Sequence, residues 1–437
     1  MKTAALHNLG CKVNSYETDA MQQLLEEAGY QIVPFHERAD VYVINTCSVT
    51  NVADHKSRQM IHRAKKQNPE AAVVAAGCYV QTSPGQMRED LAVDIILGNN
   101  RKNDLIRLLD EYFSEHSRRE DTEAGEMALE DLVDINSGLQ PYEDLKVSGP
   151  KEHTRAFVKI QDGCNQFCSY CIIPYARGRI RSRSVESVIA EVQDLAEQGI
   201  QEVVLTGIHI SSYGKDSSDT LLHLIQEVHG IAGIRRIRLG SLEPRLITEE
   251  FARSLAALPK VCPHFHLSLQ SGSAGVLQRM NRHYTPEEFL DKCRILRSVY
   301  DHPGITTDII VGFPQETEEE FRETCAFARQ AQFYEVHVFK YSRRDGTKAA
   351  AMSGQIPEQE KTRRSHILMG LAEELKRDYL ARYEGKTVEV LFEHQTERGG
   401  VRGFEGFTRE YVKVFLPESG RDLHNCIETV EFSQCLY

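Results

Sequence analysis

The sequence predicts an α/β protein in three parts: an N-terminal open parallel sheet with helices on its faces, a central partial (β/α)6 barrel, and a small C-terminal all-β barrel. Three observations predict this. Short apolar runs alternate with helical patterns over residues 1–109, six further such units follow from Arg155, and after Tyr383 the pattern changes to short alternating strands with Gly turns. A chain of 437 residues is long enough for two to four domains, each with its own core.

In chain order, Thr3–Leu6, Val41–Ile44 and Ala72–Ala76 read as buried strands, and Asn14–Ala28, Ala53–Lys66 and Arg101–Leu109 as amphipathic helices. Residues 110–150 lose the periodicity and gain acid, Ser, Gly and Pro, which reads as a linker with at most one short helix. The central part, 151–375, has candidate strands at Ala156–Ile160, Glu202–Leu205, Arg236–Leu239, His264–Leu269, Gly304–Val311 and Glu335–Phe339. Helical patterns such as Val185–Glu197, Leu221–Val228 and Pro286–Val299 fall between them. Six units exceed what a small sheet needs and stop short of eight, so a curved, partly closed barrel is expected. Glu358–Tyr383 is a long charged helix, and 376–437 hold the strands Thr387–Phe392, the Gly399–Gly406 region, Tyr411–Phe415 and Ile427–Phe432.

Composition excludes several classes. With 41% apolar and 27% charged residues the chain is neither collagen-like nor wholly disordered. Apolar runs such as Ala71–Ala76 fall far short of a membrane span, and no signal-peptide core opens the chain, so a cytoplasmic protein is expected. The net charge of -12 is local: residues 110–145 hold 12 Asp or Glu against two Arg. A basic surface elsewhere is therefore compatible with it. Eleven Cys in a reducing compartment point to metal or redox chemistry rather than disulfides.

GCNQFCSYC places Cys164, Cys168 and Cys171 in a C-x3-C-x2-C run directly after the first barrel strand. Three thiolates this close converge on one soft metal centre. A tetrahedral zinc site needs a fourth ligand, whereas a four-iron cubane on three thiolates keeps one iron open. A zinc knuckle borrowing His153 is the competing reading, disfavoured by ligand number and spacing. Cys11, Cys47 and Cys78 each follow the carboxyl end of a predicted parallel strand, where open α/β sheets assemble their sites. Their competing reading is three small buried apolar side chains. Cys262, Cys293, Cys325, Cys426 and Cys435 show no such placement and are assigned no role.

The cysteine loop after the first strand of a six-unit barrel resembles the radical S-adenosylmethionine (SAM) enzymes. The segments GCKVNSYET, NTCSVTNVADHKSRQ and GCYVQ resemble the N-terminal domain of the methylthiotransferases of that superfamily. So do GCNQFCSYCIIPYARGRIRSR, HLSLQSGSAGVLQRMNRHYT, TTDIIVGFPQETEEEF and FKYSRRDGTKAA further on, and the terminal barrel resembles the TRAM RNA-binding module. The resemblance implies two 4Fe-4S clusters, one on each cysteine trio, with SAM bound at the open iron of the second and cleaved by one electron to a 5'-deoxyadenosyl radical. It implies methylthiolation at C2 of an adenosine beside the tRNA anticodon (position 37), presented in a single-stranded loop. Segments 11–18 and 45–59 fit best the bacterial enzymes acting on N6-threonylcarbamoyladenosine. Siblings acting on N6-isopentenyladenosine or on a ribosomal protein aspartate, and a non-catalytic iron-sulfur RNA-binding electron carrier, are the alternatives. A flavodoxin or ferredoxin as electron donor is implied, and no membrane or DNA partner.

Tyr170 and the strand-end residues Thr206, Gly207, Ser241, Glu243, Gln270, Ser271, Asp308 and Gly312 are expected by resemblance to line the SAM pocket. For any one of them a satisfied strand-end hydrogen bond is the plainer reading. Arg177, Arg179, Arg181 and Arg183 alternate beyond the cluster loop, a spacing suited to phosphates if the segment is extended; a solvated charged face is the alternative. Arg343 or Arg344 is expected to pair with the carboxylate of the threonyl group. The C-terminal module carries nine Lys or Arg against 11 Asp or Glu from residue 376, so its charge alone does not mark it as RNA-binding. His209 and His266 are expected to be structural, with no catalytic residue beyond the cluster ligands.

Overall fold

The computed structural model describes residues 1–116, 129–132, 134–148, 154–418 and 420–432; His153 and Cys435 lie outside them. Strands β1 (Thr3–Asn8), β2 (Gln31–Ile32), β3 (Val41–Thr46), β4 (Ala72–Gly77), β5 (Ile95–Leu97) and β6 (Leu129–Asp131) form one parallel sheet in the order β2-β1-β3-β4-β5-β6. β3 and β4 are buried at every residue, which is why VYVINT and AVVAAG read as nearly continuous apolar runs. Helix α1 (Lys12–Glu27) and the helix Leu105–His116 cover one face through Met21, Leu25, Leu105 and Leu109. Helix α2 (Asn51–Gln67), capped by the Thr50 hydroxyl on the Ala53 amide, covers the other through Ile61 and Ala64. From β1 the chain runs first to one side and then to the other, so the switch between β1 and β3 opens a crevice at their carboxyl ends.

The acidic stretch is less of a linker than its composition suggests. The helix before it runs on to His116, and Leu129–Asp131 joins the sheet as β6. Glu130 meets Arg88 at 2.5 Å and Asp131 meets Arg107 at 2.6 Å, so charges that looked solvated dock the strand.

The central part is a curved run of parallel strands: β7 (Arg155–Asp162), β9 (Glu202–Gly207), β10 (Arg236–Leu239), β11 (His264–His266), β12 (Gly304–Val311) and β13 (Glu335–Lys340). Parallel bridges Ile237–Val261 and Leu242–Leu267 join the β10 and β11 regions, and β8 (Arg181–Ser182) pairs antiparallel with β7 at the outer edge. Among the described residues β13 pairs only with β12, so the barrel stays open on that side. Ile160, Leu205, Leu239, Leu267 and Ile309 pack outward beneath the helices. Alternate residues of the same strands therefore face the lumen.

Strands β14 (Thr387–Arg398), β15 (Val401–Thr408), β16 (Lys413–Pro417) and β17 (Ile427–Glu431) form a curled antiparallel sheet in the order β16-β15-β14-β17. It closes the amino-terminal end of the barrel. Arg236 donates to the Phe407 carbonyl at 2.9 Å, Arg238 to that of Arg409 at 3.0 Å, and the Tyr411 ring stacks on His264. The opposite end, where the strands finish, faces the N-terminal sheet.

Candidate active site

The strands that lead into Cys78 and Cys164 each turn sharply at a glycine just before the cysteine. Gly77 has φ +95, and a side chain there would meet the Asn45 side chain and the Thr46 carbonyl at 2.5 Å. Gly163 has φ +71, and a side chain would meet the Arg179 carbonyl at 1.8 Å. Only glycine fits either turn, and each hands its strand directly to Cys78 or Cys164.

Cys11, Cys47 and Cys78 converge although 67 residues separate the first from the last. Cys47 Sγ lies 3.0 Å from where a Cβ on Gly10 would sit, and the Cys78 charge is felt by both other thiols. Cys78 Sγ accepts the Arg177 Nε–H at 3.3 Å and lies 3.7 Å from Asn99 Nδ2. Asn14 ties the trio together, its amide donating to the Leu9 carbonyl at 2.8 Å and to that of Thr46 at 2.9 Å.

The second trio sits in the loop after β7. The Cys171 amide donates to the Cys168 carbonyl at 3.0 Å, and the Cys164 amide to the Gly178 carbonyl at 3.0 Å, so the loop folds back on itself. Arg282 Nη1 donates to Cys168 Sγ at 3.2 Å. Burial pushes Cys47 and Cys164 up to about 11 and raises Cys11 and Cys171 as well. Bare thiols so placed stay protonated at neutral pH, and a soft metal would have to displace those protons. Three converging sulfurs with a guanidinium N–H aimed at one of them, twice over, suit an anionic metal–sulfide cluster.

Between the trios lies a buried ionic clamp. Arg177 meets Glu17 at 2.7 Å and Asp162 at 3.2 Å, and donates to Asn14 at 2.8 Å. Lys159 adds contacts of 2.7 Å to both carboxylates, and Lys102 lies 3.3 Å from Glu17. Burial alone would raise the Glu17 carboxyl, but Arg177, Lys102 and Lys159 hold it well below the usual carboxylate range.

This clamp corrects the expectation that the arginine run faces RNA. Arg177, Arg181 and Arg183 are all buried, with Arg183 on Glu191 and 2.8 Å from Asp144. The segment is a short helix (Ile173–Arg177), a Gly178 turn and then β8, not one extended strand, so the expected phosphate-facing row never forms. Arg179 alone is exposed, stacked over Phe167. Arg344 is buried too, 2.6 Å from Asp54 and 2.8 Å from Ser48, and so latches the sixth barrel loop onto the Cys47 loop. Both of its Nη groups are thereby engaged, and its Nε–H, which has no partner among the described residues, is buried. Arg343 is exposed.

A cavity of about 200 Å³ opens beside Cys171, at the junction of the barrel and the Cys47 loop. Tyr170, Gln270 and Asp308 line it, with Ile310, Phe339 and Tyr341, which sequence reasoning missed. Thr206, Gly207, Ser241 and Glu243 lie outside this cavity, at the ends of β9 and β10. Glu243 pairs with Arg245. Ser271 is buried, 3.2 Å from the Thr324 hydroxyl. Gly312 does not line the cavity: its amide donates to Glu316 at 2.7 Å, and a Cβ there would meet Lys361 at 2.4 Å. His209 bonds Ser212 at 2.6 Å, and burial pushes it down to about 4. Glu17 and Asp162 had no sequence signal beyond lying inside or beside the cysteine segments, and Arg282 none beyond lying in the segment 266–285.

A partial parallel barrel that delivers three thiols from its first strand defines a radical SAM enzyme. Residues 158–328 match the Radical SAM superfamily, and residues 3–98 match the Uncharacterized protein family UPF0004. Threonylcarbamoyladenosine tRNA methylthiotransferase MtaB of Bacillus subtilis (strain 168) is 43% identical over 419 residues, covering 95% of this chain and 90% of that one. The protein of the same name from Thermotoga maritima is 35% identical over 414 residues, covering 94% and 91%. The tRNA-2-methylthio-N(6)-dimethylallyladenosine synthase of Moorella thermoacetica is 38% identical over 407 residues, covering 90% and 87%. The fold is also that of the radical S-adenosylmethionine methyltransferase TsrM from Kitasatospora setae, with a TM-score of 0.57 at 18% identity over 80% of this chain and 77% of that one. The chain belongs to the radical SAM tRNA methylthiotransferases.

Proposed function

We propose that this protein converts N6-threonylcarbamoyladenosine at position 37 of tRNA to its 2-methylthio derivative. The observation that carries this reading is the pair of thiol trios held against one buried Arg177 clamp, with the cavity opening beside Cys171 and the Cys47 loop. Relatives named for the threonylcarbamoyl nucleoside, 35–43% identical over most of the chain, support the substrate.

Cys164, Cys168 and Cys171 would hold the 4Fe-4S cluster that binds SAM, and Cys11, Cys47 and Cys78 a second one. Bound there, the clusters supply one-electron reduction of SAM and a site for the sulfur to be transferred, chemistry that an unactivated aromatic C–H demands and acid–base side chains cannot provide. The protein's own residues position and protect. Arg282 and Arg177 donate N–H groups to one sulfur of each trio, stabilising negative charge there. Ile310, Phe339 and Tyr341 give the cavity an apolar wall that limits water around a reactive radical. Exposed Arg179 and Arg343 suit tRNA phosphates, and a flavodoxin- or ferredoxin-like protein is the fitting electron source in the cytoplasm.

Nucleoside mass spectrometry of tRNA from cells with and without the gene tests this. The 2-methylthio derivative of threonylcarbamoyladenosine should disappear and return on complementation, and loss of the isopentenyl counterpart instead would assign the sibling reaction.

A further inference from the structure

Below the apolar ring of the cavity the barrel lumen turns polar, and the proposed reaction uses none of that polarity. His266, Asp308 and His337 lie on three adjacent strands, and their register brings them together: His266 pairs with Thr306, and Asp308 pairs with His337. Their strand neighbours Phe265, Leu267, Ile309, Val336 and Val338 pack outward with the helix-side core, so all three point inward. His266 Nε2 lies 3.2 Å from Asp308 Oδ2, and the two imidazoles stack at 5.8 Å. Thr306 holds the other nitrogen of His266 at 3.0 Å. One ligand-type atom from each of the three lies within 4.8 Å of the others.

Asp308 also lines the cavity, and Phe339, two residues beyond His337 on the same face of β13, forms part of its wall. Asp308 thus joins the cavity to the trio, whose two histidines lie beside its lining as a polar floor of the lumen. A fourth group, from the N-terminal domain, stands near enough to feel the Asp308 charge. Lys12, the residue after Cys11, stands at the start of α1, open to water yet surrounded by the charges of Asp308, Glu202, Arg155 and Arg238. It makes no ion pair or hydrogen bond among the described residues. His337 is likewise exposed, with its ring stacked on His266.

We propose that this floor, Lys12 and His337 as donors with the His266–Asp308 pair as acceptor, is the subsite for the carboxylate- and hydroxyl-bearing substituent on N6 of the target adenine. The inference rests on the substrate reading above and deepens it. A threonylcarbamoyl group ends in a carboxylate and a hydroxyl, which need a cation and an acceptor at the far end of an otherwise apolar pocket. An isopentenyl group offers neither and would leave Lys12 and His337 without a partner, the circumstance in which a site rejects an analogue most strongly. Of the two arginines expected to read this carboxylate, Arg344 is engaged by Asp54 and Arg343 is exposed.

The test is binding of the full-length, cluster-loaded protein to anticodon stem-loops carrying threonylcarbamoyladenosine, isopentenyladenosine or plain adenosine at the same position. Wild type should favour the threonylcarbamoyl loop over plain adenosine by about 10- to 100-fold. Lys12→Met and His337→Phe should each lose most of that preference, about 10-fold, while holding the plain loop as wild type does; Lys12→Arg should keep it. Iron content reports any damage to the neighbouring Cys11 site, and His337, on a different element from all six thiols, decides if Lys12→Met loses iron. A wild type without preference overturns the substrate reading itself. A wild type with preference that both variants retain overturns the subsite alone. One metal ion beyond the cluster irons that His337→Phe removes would make the trio a metal site and overturn it too.

Discussion

The two thiol trios solve one problem in opposite ways. Cys164, Cys168 and Cys171 come from a single loop, and their convergence is a local property of eight consecutive positions after one strand. Cys11, Cys47 and Cys78 come from three separate strand ends and meet only because β1, β3 and β4 are neighbours in the sheet. The loop trio carries its geometry with it, whereas the strand-end trio borrows its geometry from the whole N-terminal domain. Arg177 couples them: it follows the loop in sequence, yet its guanidinium points at Cys78.

The largest effect separates the trios by chemistry. Cys164→Ala should abolish both SAM cleavage and methylthio transfer, and Cys78→Ala should abolish transfer while SAM is still cleaved, each reducing iron from about eight to about four per chain. Chromatography for 5'-deoxyadenosine beside metal analysis checks this, and SAM cleavage lost equally in both variants would break the division of labour.

Next comes the clamp. Arg177→Met leaves Glu17 and Asp162 buried without their main partner and should cost about 3–5 kcal/mol in denaturant unfolding of the cluster-free chain. Because the Glu17 carboxyl is held below its ordinary range in the folded state, its stabilisation is full above about pH 5 and is lost as pH falls below the ordinary carboxylate range. The variant's stability should therefore fall less steeply with acid than the wild type's. Parallel pH curves would show that the clamp does not hold the trios together.

The smallest effect belongs to Arg179, the exposed member of the run. Arg179→Ala should weaken tRNA binding only a few-fold and lower the salt slope by about 1, seen in affinities measured across ionic strengths. A loss as large as that of a buried clamp residue would mean that this arginine does more than meet a phosphate.

How legible each trio was follows from the same contrast. The C-x3-C-x2-C spacing is readable without any fold, since neighbours in sequence must be neighbours in space. The strand-end trio was readable only through the predicted sheet, from the recurrence of a cysteine at the end of an apolar run. The arginines defeated the reading because period two places side chains on one face only if the backbone is extended. Here a helical turn and Gly178 intervene, and carboxylates from α1 and β7 claim Arg177. The grouping of Lys12, His266, Asp308 and His337 had no linear signature, since they span more than 300 residues and only Asp308 stood out as a strand-end polar residue.

By itself, then, the chain's pattern of apolar runs and cysteine spacings determined the α/β architecture, the barrel of six units and the grouping of Cys164, Cys168 and Cys171, because strand burial and short-range spacing are local constraints. Which arginines are solvated, which polar residues share a cavity and how the two trios face each other were decided only by tertiary structure. Those outcomes depend on strand order and on which buried charge lies within reach of which other, and neither is a property of any one segment.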